Sequence, residues 1–90
     1  MTDIHINVSG HVQGVGFRYF TQMKAREYQI AGWVRNKDNG TVEVYASGRE
    51  KDLAMFLSCL KRGNRFSKVE KVTVAPLNSD KRYYDFVIKS

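Results

Sequence analysis

Ile4, Ile6 and Val8 alternate with His5, Asn7 and Ser9, the period of two expected of a strand with one face buried. Three glycines between Gly10 and Gly16 interrupt the pattern, and from Phe17 it changes period. Phe17, Phe20, Thr21, Lys24, Ala25 and Tyr28 fall on one face at helical spacing, with Lys24 contributing its stem, and predict a helix over about 17–28. Ile30 to Asn36 and Thr41 to Ala46 read as two strands. The Lys37-Asp38-Asn39-Gly40 link between them contains an Asn-Gly pair, which accepts the positive φ of tight hairpin turns.

Ser47-Gly48-Arg49-Glu50 has the spacing of a capping box, and Leu53, Phe56, Leu57 and Leu60 form an i, i+3, i+4, i+7 stripe. Lys61, Arg62 and Gly63 supply a C-terminal signature, so a second helix is expected over about 50–62. Lys68 to Ala75 alternates around Val72 and Val74 until Pro76 ends it, and Tyr84, Phe86 and Ile88 alternate near the end of the chain. The predicted order is strand, helix, strand, strand, helix, strand, with a short last strand. This is the order of the ferredoxin-like α+β sandwich, a mostly antiparallel four- to five-stranded sheet with two helices on one face.

Length narrows the function classes. Ninety residues with 42% hydrophobic content fit one domain spanning 1–90 and leave no room for a separate cofactor domain. A lone Cys59 excludes an intramolecular disulfide or a cysteine metal cluster, and His5 and His11 have no further ligand candidates in a motif, so no metal site is expected. The first ten residues lack the basic and apolar regions of a leader, and no stretch reaches the ~18 apolar residues of a membrane span. A cytoplasmic protein without a membrane partner is expected. Fifteen Lys plus Arg against nine Asp plus Glu give a net charge of +6, which directs attention to an anionic partner, either nucleic acid or a small phosphorylated or carboxylated molecule.

The chemistry-bearing segment is Gly10-His11-Val12-Gln13-Gly14-Val15-Gly16-Phe17-Arg18, a glycine-rich loop that leaves a strand and opens a helix. Glycines let successive N–H groups converge, and a helix start adds unpaired donors and about half a positive charge, so an anion such as phosphate fits there. Arg18 in the first helical turn opposes the macrodipole at a cost of ~0.3–1 kcal/mol, which makes sense if a dianion sits between guanidinium and amides. The loop lacks the Gly-Lys-Ser/Thr ending of a Walker loop and the Gly-x-Gly-x-x-Gly spacing of dinucleotide folds, which disfavours nucleotide binding.

Together with Gly32-Trp33-Val34-Arg35-Asn36 and Gly40-Thr41-Val42-Glu43, this loop resembles the acylphosphatase family over nearly the whole chain. The resemblance implies hydrolysis of the carboxyl–phosphate bond of acyl phosphates to a carboxylate and orthophosphate, without metal or cofactor. It implies that Arg18 holds the phosphoryl group beside the loop Gln13, Gly14, Val15, Gly16 and Phe17, and that Asn36 orients the attacking water. The implied partners are a small acyl phosphate and inorganic phosphate, the latter as product and competitive inhibitor, with no nucleic acid; a monomer is expected, since nothing in the sequence argues against one.

Geometry and chemistry fit that implication. In a βαββαβ sandwich the first two strands run parallel with the third between them. The glycine-rich loop and Asn36 then share one sheet edge about 10 Å apart, two ~4.8 Å spacings. The leaving carboxylate resembles Asp or Glu, with pKa ~4, and needs no protonation at pH 7, so charge stabilisation and water placement suffice. His11, in the loop, and His5, on the polar face of the first strand, are read as solvated. Cys59 is read as a small residue at or near the core. A single-stranded RNA or DNA binder on the same fold would draw on Tyr19, Tyr45, Tyr83, Tyr84 and the basic run Lys61, Arg62, Arg65, Lys68 and Lys71. Its Lys/Arg-Gly-Phe/Tyr motif is missing from Thr41-Val42-Glu43-Val44-Tyr45-Ala46. A silent regulatory module, or one acting on acylated proteins, stays open because the same cradle could bind without turnover.

Overall fold

A computed structural model describes residues 1–78 and 81–90. In chain order it contains β1 (Thr2–His11), α1 (Phe17–Glu27), β2 (Ala31–Asn36), β3 (Val42–Gly48), α2 (Glu50–Arg62), β4 (Lys68–Leu77) and β5 (Phe86–Ile88). The five strands lie in the order β4-β1-β3-β2-β5. β1 pairs antiparallel with β3 and β4, β2 pairs antiparallel with β3, and β5 alone runs parallel to its neighbour β2. The predicted ferredoxin-like sandwich is therefore observed, with the short last strand completing one edge.

The core follows the alternation. Ile4, Ile6 and Val8 of β1, Val34 of β2 and Val42, Val44 and Ala46 of β3 are buried together with Phe17 and Ala25 of α1 and Leu53, Phe56 and Leu60 of α2. Both helical stripes therefore face the sheet as read, and burial of the Val, Leu, Ile and Phe side chains among them stabilises the fold by about 1.5–3 kcal/mol each. Cys59 is buried and free, as expected.

Four local expectations change. Ser47 does not cap α2, because β3 continues to Gly48 and the Ser47 hydroxyl donates to Asp3 Oδ1 at 2.7 Å. Arg49 is the N-cap without a side-chain cap bond, and Glu50 and Asp52 supply negative charge to the first turn. Pro76 lies inside β4, where it is tolerated because β4 is an edge strand. In the β2–β3 hairpin the turn is longer than a two-residue Asn-Gly turn. The Gly40 N–H donates to the Lys37 carbonyl and the Lys37 N–H to the Thr41 carbonyl, and positive φ falls on Gly40 alone (90°). Lastly, β1 runs on through Gly10 to His11 with a register shift at Ser9/Gly10, so His11 is an exposed strand end rather than a loop residue.

His5 is also not simply solvated. On the helix-free face its Nε2 lies 2.7 Å from Glu43 Oε2, while the Arg35 Nε donates to Glu43 Oε1. Burial pushes the Glu43 carboxyl up, but the hydrogen bonds and charges of His5 and Arg35 outweigh it and hold the group below the ordinary carboxylate value. A carboxyl with a lowered folded-state pKa adds stability that is present above its unfolded value of about 4.3 and is lost as pH falls through the folded value. Glu43→Gln is thus expected to melt below the wild type at neutral pH, with the gap closing as pH drops below about 4. Melting curves of the two proteins between pH 7 and 3 measure it, and a constant gap would show that the ion pairs do not set this acid dependence.

Candidate active site

Val8 of β1 and Asn36 of β2 both pair with Val42 of β3, one on each side. The shared partner brings the exit of β1 and the end of β2 to the same sheet edge, two strand spacings apart. The segment between β1 and α1 then folds over that edge. Val12 is buried as its anchor, and Gly16 serves as N-cap of α1 in the left-handed region (φ 75°, ψ 19°), where a side chain would be strained. Among the described residues the backbone N–H groups of Gly14 through Tyr19 donate to no protein acceptor. No side chain caps α1 and its first turn contains no acidic residue, so the positive end of the helix is left uncompensated.

All of Gly14 through Tyr19 but Val15 line a cleft of about 180 Å³, together with Val12, Asn36 and Ile88. Arg18 and Asn36, 18 positions apart in sequence, therefore meet at one cavity. The Arg18 Nη1 donates to the Lys89 carbonyl at 3.3 Å, an exposed and long bond that leaves most of the guanidinium's donors unused. Asn36 Oδ1 is buried and accepts from none of the described residues. An orphaned buried acceptor costs about 1–3 kcal/mol, which a residue that merely closes a strand would not retain.

Gln13 is not among the cleft-lining residues. Its Nε2 donates to the Lys37 carbonyl at 2.8 Å and the Thr41 carbonyl at 2.9 Å, tying the glycine-rich segment to the hairpin that carries Asn36. On the other side Asn64 Nδ2 donates to the Val15 carbonyl at 2.8 Å. Tyr19, Ile88 and Asn64 lie outside both motifs; Tyr19 follows Arg18 directly, while only the folded chain brings Ile88 and Asn64 to the loop. A larger hollow of about 820 Å³, lined by residues that include Asp3, Ser47, Leu77 and Tyr84, opens at the opposite end of β1. Lys81 and Arg82 also line it, but no residue of either motif does, so the smaller cleft is the one that gathers the sequence-predicted site residues. Among the described residues no three His, Cys, Asp or Glu side chains are grouped to hold a metal ion.

Comparison with known proteins agrees with this geometry. The acylphosphatase family model matches residues 4–88. The acylphosphatase of Bacillus licheniformis is 53% identical over 74 residues, covering 82% of each chain, and that of Bacillus subtilis is 46% identical over 88 residues, covering 98% of this chain and 97% of the relative. The crystal structure of acylphosphatase from Bacillus subtilis superimposes with a TM-score of 0.96 at 44% identity and full coverage of both chains. Because the likeness in sequence and in structure runs through both motifs and both ends of the sheet, the chain belongs to the acylphosphatase family and is an acylphosphatase, an enzyme that hydrolyses small-molecule acyl phosphates.

Proposed function

We propose that residues 1–90 act as one domain in which the amides of Gln13, Gly14, Val15, Gly16, Phe17 and Arg18, with the Arg18 guanidinium, hold the phosphoryl group while Asn36 orients the attacking water. The observation that carries this reading is the convergence on one cleft of loop amides and an Asn36 oxygen that have no partner among the described residues. A phosphoryl dianion accepts from the loop N–H groups and the helix start, and the Arg18 fork adds charge-assisted bonds. Their donors serve the oxygens on which charge is shared in the transition state. Water held by the Asn36 amide attacks phosphorus in line with the acyl oxygen, the P–O bond breaks, and the carboxylate departs unprotonated because its pKa is ~4. The water's proton ends on the phosphate product, so no resident base is required.

The same reading makes inorganic phosphate both product and competitive inhibitor, and needs no metal. It places the protein in the cytoplasm as a monomer, in keeping with the free, buried Cys59. Among the described residues no helix is long and apolar enough to cross a membrane. The helix-free sheet face also argues against nucleic acid as partner. Tyr45 is 7% exposed, lies against Trp33 and Tyr83, and donates to Asp3 Oδ2, so its ring is not offered to a base.

Orthophosphate release from an aryl acyl phosphate, run beside a phosphate monoester and repeated with a chelator, tests the proposal. The acyl phosphate should turn over far faster than the monoester, with no change on chelation and with competitive inhibition by phosphate. Equal rates on both substrates would make the protein a general phosphatase. Loss of activity on chelation, restored by Mg²⁺, would overturn the cradle mechanism.

A further inference from the structure

We propose that Asn64 is a positioning residue that turns the Gly16 N–H into the cleft, an inference that rests on the phosphate-binding reading of the loop given above. Asn64 follows Gly63, the C-cap of α2, and lies outside both motifs. Its backbone is fixed without help from its own side chain. The Asn64 N–H donates to Ser67 Oγ at 2.9 Å, and the Ser67 hydroxyl and N–H donate back to the Asn64 carbonyl at 3.1 and 3.2 Å. The side chain is then free to reach 49 residues back in sequence, where Nδ2 donates to the Val15 carbonyl at 2.8 Å.

Val15 C=O and Gly16 N–H belong to one planar trans peptide and point in opposite directions. Gly14 and Gly16 line the cleft whereas Asn64 does not, so drawing the carbonyl toward the α2–β4 connection directs the N–H the other way, toward the cleft. The tether matters because that peptide is easily turned. Its rotation uses φ of Gly16, and glycine populates several φ regions at little cost. The Val15 side chain packs against the core from its own side, which fixes one end of the unit, and the amide of Asn64 selects the orientation of the other. A carbonyl that accepts a hydrogen bond also polarises the N–H of its own peptide. Asn64 Oδ1 remains buried and without a partner among the described residues, a cost a residue serving only the turn would avoid, since the turn uses backbone atoms.

The test is Asn64→Ala, with Asn64→Asp as the second variant, which keeps the size but loses the donor and adds negative charge beside the anion site. For Asn64→Ala the Michaelis constant and the inorganic phosphate inhibition constant should rise together by about tenfold, with turnover within about threefold of wild type, the pattern of a lost contact equal in ground and transition states. Asn64→Asp should bind phosphate more weakly still. Melting temperatures should stay within a few degrees because the Ser67 turn is kept. In ¹⁵N–¹H spectra the Gly16 amide should shift on titration with phosphate in the wild type, and do so at about tenfold higher phosphate in Asn64→Ala. An unchanged phosphate constant in both variants, alongside a weakened one in Arg18→Ala, would overturn the role of Asn64 alone. If phosphate binding proved indifferent to Arg18 as well, the reading of the loop would fall and this inference with it.

Discussion

Arg18→Ala is expected to weaken inorganic phosphate inhibition and to cut turnover on the order of 10²-fold or more. The side chain starts from the first turn of α1, where a cation opposes the macrodipole and no acidic neighbour offsets it. Among the described residues its one hydrogen bond, to the Lys89 carbonyl at 3.3 Å, is too long and too exposed to explain that placement. A dianion held between the guanidinium and the loop amides removes both objections, because it brings opposite charge to the helix start and fills the fork with oxygens. Contact persists from bound substrate to transition state and product, so affinity and rate should both fall. Lysine should rescue poorly, since a point charge cannot reproduce a planar fork. Phosphate inhibition constants and turnover numbers of wild type, Arg18→Ala and Arg18→Lys decide the matter. Unchanged inhibition in the alanine variant would remove Arg18 from the site.

Much of this arrangement is legible in the sequence because its signals are local. The stripe of Leu53, Phe56 and Leu60 and the alternation of Ile4, Ile6 and Val8 each report which face is buried, and burial is what the fold satisfies first. The two motifs place Arg18 and Asn36 at one edge once the strand order is known, since β1 and β2 are parallel with β3 between them. What escapes the sequence depends on partners far along the chain. Ser47 looks like a cap until the pairing of Asp3 with Ser47 brings a carboxylate to its hydroxyl. His5 looks solvated until the register sets it diagonal to Glu43, which itself faces Arg35. Pro76 looks like a strand end until β4 proves to be an edge. Gln13 and Asn64 clamp the loop across 24, 28 and 49 residues, and no spacing rule reports a hydrogen bond to a distant carbonyl.

Asn36 should separate from both Arg18 and Asn64 by the constant it changes. Its amide carries no net charge, and in the proposed mechanism the loop amides and the Arg18 guanidinium hold the dianion, so losing it should leave the dianion in place. Asn36→Ala is therefore expected to raise the barrier to turnover by ~2.7–4 kcal/mol, the size typical of one positioned polar group, with the phosphate inhibition constant nearly unchanged. The fold should persist. Asn36 pairs with Val42 through backbone atoms, and the hairpin beyond it is held by the Lys37–Thr41 bond and the two Gln13 bonds, none of which involves the Asn36 side chain. Removing an amide whose oxygen has no partner among the described residues should even relieve a buried orphan in the free enzyme. The variant should thus be at least as stable as wild type while being far slower, the signature of a group kept for the reaction rather than for the fold. Turnover number, phosphate inhibition constant and melting temperature, measured side by side, read this directly. If turnover and phosphate affinity fell together, Asn36 would be a phosphate ligand. If neither moved, it would be a strand-ending residue with no part in placing the water.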